Sequence, residues 1–198
     1  MTKPPPSAEA IVERLRVLTS GRQPPTTFTP GLSEDELARV ERDVRIRFPP
    51  DLAAMLRVAV PVTEGVRGGF PDWRSEVAPL REWVRRPFDE LMWAIEHDPW
   101  PQWHAAWGQR PDNTAEAAAV ALSHLAGVPR LIPVYFHRYL PETPHESGNP
   151  IFSVAGFDTV HYGSDLANYF ENEFRLPLSE LRLGPLKHIP LWSDLAAE

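Results

Sequence analysis

The sequence predicts an α+β domain, a mainly antiparallel sheet packed by helices, with a helical layer inserted ahead of the central strands. Three observations carry this. Residues 129–174 hold short, apolar, β-prone runs at 131–136, 151–154 and 159–162, each bounded by turn residues. Elsewhere, apolar residues recur at spacings of three and four behind capping residues such as Ser7, Ser33 and Asn113. The length of 198 residues, 42% of them hydrophobic, suits one core-forming domain.

The elements follow in order. Residues 1–6 are a Pro-rich lead; Ser7 caps a helix to about residue 18, with Ile11, Leu15 and Leu18 on its apolar side and Gly21 past its end. Residues 22–30 read as a linker, so residues 1–30 form a lead and helix ahead of one domain over 31–198. Ser33 and Glu36 have the spacing of a capping box, and Leu37, Val40 and Val44 share a face behind it. Pro49 and Pro50 stop that helix and open the next, which carries Leu52, Met55, Leu56 and Ala59. Residues 65–73 read as a loop. Leu80, Trp83 and Val84 begin a helix that Pro87 is expected to break or kink, with Phe88, Leu91, Met92 and Ile95 restarting the period. Asn113 and Glu116 cap a helix that ends at Ala126, before Gly127 and Pro129. The inserted helical segment is therefore about 74–127.

In the central stretch, Pro133 places the first strand at an edge or puts the proline at the strand's start. Residues 155–158 join the next two strands as a tight hairpin, with Gly156 supplying a positive φ. Val160 and Tyr162 fall on one face, Thr159 and His161 on the other. Ser164 is the expected cap of a last helix, whose Leu166, Tyr169, Phe170 and Phe174 pack on the hairpin.

Composition narrows the function. There is no cysteine, which removes disulfides, thiolate chemistry and Cys-based zinc sites. The opening residues lack the apolar core of a signal peptide and no run approaches membrane-spanning length, so a cytoplasmic protein without a membrane partner is expected. Against 20 basic residues stand 27 acidic ones, a net charge of -7 that argues against nucleic acid and for a basic protein partner.

No constellation reads as catalytic. His137, His145, Glu146 and His161 match no zinc spacing, so no metal and no other cofactor is expected. Ser147, His145 and Asp158 lack the strand–turn–helix setting of a nucleophile. Glu171 and Glu173, two apart on a helix, do not face each other. Of the seven tryptophans, six lie between Trp73 and Trp107 and read as a packed helical layer rather than a ligand box. Arg39, Arg42, Arg45 and Arg47 read as solvated surface. The segment 137–149 stands apart, because a polar loop of this length in a compact domain is often functional. His137, Arg138, Tyr139, His145, Glu146 and Asn149 are the candidate partner- or ligand-binding residues. The competing reading is a rigid structural loop in which Arg138 bonds Glu142 or Glu146.

The segments Leu131-Ile132-Pro133-Val134-Tyr135, His137-Arg138-Tyr139-Leu140-Pro141, Gly148-Asn149-Pro150-Ile151-Phe152-Ser153-Val154 and Tyr162-Gly163-Ser164-Asp165-Leu166 together resemble the SUKH superfamily. That group includes fungal cell-wall assembly regulators and bacterial toxin-immunity proteins. The helix–Pro–helix block from Gly31 is similar too, as are Trp107-Gly108-Gln109-Arg110-Pro111 and the tail Ile189-Pro190-Leu191-Trp192-Ser193-Asp194-Leu195. Ala59-Val60-Pro61-Val62 departs from the Asn- or Gly-rich turn usual in the family. The resemblance implies a non-catalytic immunity-type protein that binds and neutralises a toxin, a basic toxin domain being the partner an acidic inhibitor suits. The alternatives are a regulatory or scaffold module binding a cellular protein, and a small-ligand binder using the 137–149 loop.

Overall fold

Ser7 takes an extended backbone, and its Oγ accepts from Ala10 N at 3.3 Å. That satisfies one first-turn amide and starts α1 (Ala8–Thr19), which buries Ile11, Val12 and Leu15. The computed structural model describes residues 6–63, 69–98, 100 and 102–197. The first five residues of the lead and residues 65–68 of the expected loop thus lie outside the described residues.

The expected linker ends in a strand. β1 (Thr26–Pro30) pairs antiparallel with β2 (Ala59–Thr63), Phe28 lying opposite Pro61. Both strands are edges, so their prolines need not donate to a further strand. α2 (Glu34–Val44) carries the expected capping box, with Glu36 N donating to Ser33 Oγ at 3.2 Å and Ser33 N to Glu36 Oε2 at 2.8 Å. α3 (Pro50–Val58) begins on its proline and buries Leu52, Met55 and Leu56. At Gly31 the chain passes so near the end of α3 that a Cβ would sit 1.8 Å from the Arg57 carbonyl oxygen.

The break expected at Pro87 does not occur. α4 (Val77–His97) runs through it, with Leu80 and Val84 in one apolar cluster, Leu91 and Ile95 in a second, and Pro87 buried between. A proline inside a helix costs about 3 kcal/mol, and packing on both sides of it offsets that. A short 3₁₀ turn (Ala105–Trp107) leads to α5 (Thr114–Leu125), whose cap is Asn113, its Oδ1 accepting from Ala115 N and Glu116 N.

The central stretch forms a four-stranded antiparallel meander of β3 (Leu131–Tyr135), β4 (Arg138–Pro141), β5 (Ile151–Ala155) and β6 (Asp158–Gly163). Gly156 has φ 61° in the last turn, as the hairpin requires. α6 (Leu166–Arg175) is capped one residue later than expected: Asp165 Oδ1 accepts from Asn168 N at 2.7 Å, while Ser164 N donates to Asn168 Oδ1. A carboxylate is the stronger acceptor at that position. α7 (Trp192–Leu195) closes the described chain.

Both faces of the meander are covered, which is why its strands are so uniformly apolar. Ile132, Val134, Leu140, Ile151 and Tyr162 join the cluster formed with α1, α2, α3 and α6. Leu131, Tyr139, Phe152 and Val154 join the cluster formed with α5, α7 and the second half of α4. Val160 shares a face with Tyr162 but stays 41% exposed, while Thr159 on the opposite face is buried. The tryptophans divide as well. Trp73, Trp107 and Trp192 are core, whereas Trp93 and Trp100 are 61% and 84% exposed. Among the described residues no helix is long and apolar enough to cross a membrane.

Candidate functional site

Strand β4 sets the direction of the first candidates. Alternation along a strand sends neighbours to opposite faces, so Arg138 and Tyr139 part company. Arg138 turns under α6, where its Nε donates to Glu173 Oε2 at 2.9 Å and its Nη1 to Ser153 Oγ at 2.8 Å. Its guanidinium also lies 3.9 Å from the centre of the Tyr162 ring. Tyr139 enters the other cluster, where burial raises its phenol pKa well above the ordinary value.

Arg138 therefore bonds neither Glu142 nor Glu146. Glu142 lies opposite Arg130, because Glu142 N donates to the Arg130 carbonyl at 2.8 Å and extends the β3–β4 ladder past Leu131 and Pro141. Arg130 Nε then reaches Glu142 Oε2 at 2.9 Å. Glu146 is held from the C-terminal segment: Lys187 Nζ donates to its Oε1 and to the Ser147 carbonyl, each at 2.7 Å.

Asn149 is fully buried and pins the loop from inside. Its Nδ2 donates to the Pro144 carbonyl at 2.7 Å and its Oδ1 faces Lys187 Nζ at 3.4 Å. Asp51, in the first turn of α3, completes the clamp by accepting from Gly148 N at 2.9 Å. Burial pushes the Asp51 carboxyl above its ordinary value, against the opposing pull of the Gly148 and Leu52 amides. Nothing marked Asp51 or Lys187 in the sequence, since each lies far along the chain from the group it holds.

His137 remains exposed at the β3–β4 turn, and its imidazole pKa is lowered, first by desolvation and then by Arg138 and Arg86. His145 is half-buried, and its Nδ1 meets no hydrogen-bond partner among the described residues. His137, His145 and Glu146 are thus the members of the set that reach the surface. The structure does not gather the six around a cavity. Among the described residues no group of three His, Cys, Asp or Glu could hold a metal ion. His161 lies 3.5 Å from Ser193 Oγ, which itself accepts from Ile189 N. The adjoining Asp194 is held below the usual carboxylate range, first by the hydrogen bond with His188 at 2.7 Å. It also accepts from Leu191 N, so the group anchors the start of α7.

Two surfaces lie outside the set. One comprises two exposed tryptophans, Trp93 in the last turns of α4, stacked on His97, and Trp100 just beyond the helix. The other is a groove of about 710 Å³ between the end of α2 and the first half of α4. Its signal was present in Val77, Arg81, Val84, Arg85 and Phe88, which fall on one side of a helical period. In comparison with known protein families, curated proteins and solved structures, the chain matches none.

Proposed function

We propose that the chain is a non-catalytic protein-binding module of SUKH type, acting as an immunity protein that binds and neutralises a cognate toxin. The observation that carries the binding reading is the exposure of Trp93 and Trp100, at 61% and 84%. Large aromatics left in water are unusual on a chain with ample core to receive them, and tryptophan is enriched where partners bind most tightly. The type is supported by the order of elements: α2, proline, α3, then, after β2 and the helices α4 and α5, a four-stranded meander and a capped helix. The small-ligand alternative loses support, because Glu146, Asn149 and the backbone of Pro144, Ser147 and Gly148 are taken up in bonds that hold the loop itself.

The test is coexpression with the product of a toxin gene adjoining this one. Expected are a stable complex and suppression of the toxin. The Trp93→Ala, Trp100→Ala double variant should fold normally and bind about tenfold or more weakly. Failure of the intact protein to suppress the toxin would overturn the immunity reading. Turnover in a hydrolase and nuclease screen, lost in a folded His137→Ala variant, would overturn the non-catalytic one.

A further inference from the structure

We propose that the α2–α4 groove is a docking site for an acidic peptide segment of a protein partner, one that carries an apolar side chain between its carboxylates. The inference rests on the protein-binding reading but not on the partner being a toxin.

The floor and the rim differ in chemistry. Val44, Val77, Val84 and Phe88 supply an apolar floor, with the exposed Ala78 opening onto it. Arg45, Arg81, Arg85 and Arg130 surround it, with Glu82 as the opposing charge. Two of the arginines are already engaged by carboxylates: Arg85 by Asp89 at 2.8 Å and Arg130 by Glu142 at 2.9 Å. The other two are not. Arg81 Nε donates to the Asp43 main-chain carbonyl at 2.7 Å, which fixes the side chain, and it has no ion pair among the described residues. Arg45, at φ 63° in the left-handed turn that ends α2, has no ion pair among the described residues.

On a chain of net charge -7 this is a local reversal of sign. Unmatched guanidiniums at the edge of an apolar surface favour a ligand that brings carboxylates to the rim and an apolar group to the floor. A nucleic acid fits less well. Its phosphates would meet the rim, but its bases would find aliphatic side chains and a Phe88 ring already engaged edge-on with Trp192 at 5.5 Å.

The probe is a short fluorescein-labelled peptide of Glu and Asp carrying one Leu and one Phe, followed by anisotropy at low and physiological salt. The intact protein should bind it, and bind a purely acidic peptide of the same charge more weakly. Ala78→Glu and Arg45→Glu, both at exposed positions, should each weaken binding about tenfold or more. Arg39→Glu, with the same change of charge away from the groove, should change it by less than about threefold. Where a variant fails to fold, amide shifts on the intact protein take its place, and the amides of Val77, Ala78 and Arg81 should move on adding peptide. No binding, equal loss in Arg39→Glu, or shifts elsewhere would overturn the proposal. Tighter binding of heparin or single-stranded DNA, with the same sensitivity to Ala78→Glu, would overturn the peptide as the occupant. Toxin suppression that survives Ala78→Glu while peptide binding is lost would leave both readings standing as separate surfaces. Suppression without any peptide binding would sink the groove alone.

Discussion

Arg138 and Glu173 show what a strand arginine does when an acidic helix lies over it. Their side chains are only 11% and 16% exposed, so both charges are largely desolvated and each depends on the other. Removing one partner leaves the other buried and unpaired, so Arg138→Ala should cost about 3–5 kcal/mol, whereas replacing both by Met and Leu should cost far less. Urea unfolding of the two single variants and the double variant measures this, and additive losses would show that the ions are not coupled. Asp51 makes a different case, because burial raises its carboxyl above the ordinary 3.8 despite the Gly148 and Leu52 amides. A raised carboxyl pKa means that the native state binds more protons than the unfolded state. Stability is therefore favoured below the unfolded value and falls as pH rises through the folded one. As pH rises above the ordinary 3.8, the intact protein should lose stability relative to Asp51→Asn until the carboxyl is ionised in the folded state. At low pH, where the carboxyl is protonated in both states, Asp51→Ala should cost about 1–3 kcal/mol by orphaning the Gly148 amide. A parallel pH profile in Asp51→Asn would remove the carboxyl as the cause.

The β5–β6 hairpin joins the two faces of the sheet, and Phe152 is its most enclosed ring, fully buried opposite His161, the two rings tilted at 41° with centroids 4.9 Å apart. Phe152→Ala should cost about 3–5 kcal/mol; a loss below about 1 kcal/mol, the scale of surface changes, would show that the neighbours collapse into the space. This hairpin was legible in the sequence because its signals are local: apolar runs, a turn glycine and a capped helix next in line. The same holds for α1, α2 and α5, each announced by its cap. β1 and β2 were not legible. Thr26–Pro30 and Ala59–Thr63 are short and proline-bearing, and only pairing across the intervening helices makes them strands. Pro87 misled for a related reason. The proline cost is local, whereas the two clusters that keep α4 continuous through it are tertiary. In the candidate loop the density of polar residues could be read, but their partners could not, since Asp51 is 97 residues from Gly148 and Lys187 is 40 from Ser147.

At the scale of the molecule, the four-stranded sheet has both faces covered, so the proposed recognition falls to the outer surface, which has two electrostatic ranges. At long range a partner meets the net charge of -7. At contact range it meets local features, the exposed tryptophans or the arginine-rimmed groove. A basic protein partner is steered by the first, which raises its association rate more than its final affinity. Exposed charges are screened beyond about 8 Å at physiological ionic strength. Raising salt from about 50 to about 500 mM should therefore lower the association rate of such a partner about tenfold or more, with little change in dissociation. Because the excess is spread over many Asp and Glu side chains, removing any one should change the rate only mildly, while Trp93→Ala and Trp100→Ala should act on dissociation. Stopped-flow association across salt measures the first effect and surface-plasmon dissociation the second. An association rate indifferent to salt would remove electrostatic steering while leaving the binding role. Tight binding of DNA or RNA in a mobility-shift assay at low salt would overturn the choice of a protein partner, since the long-range field of this chain repels phosphate and only a strong local site could overcome it.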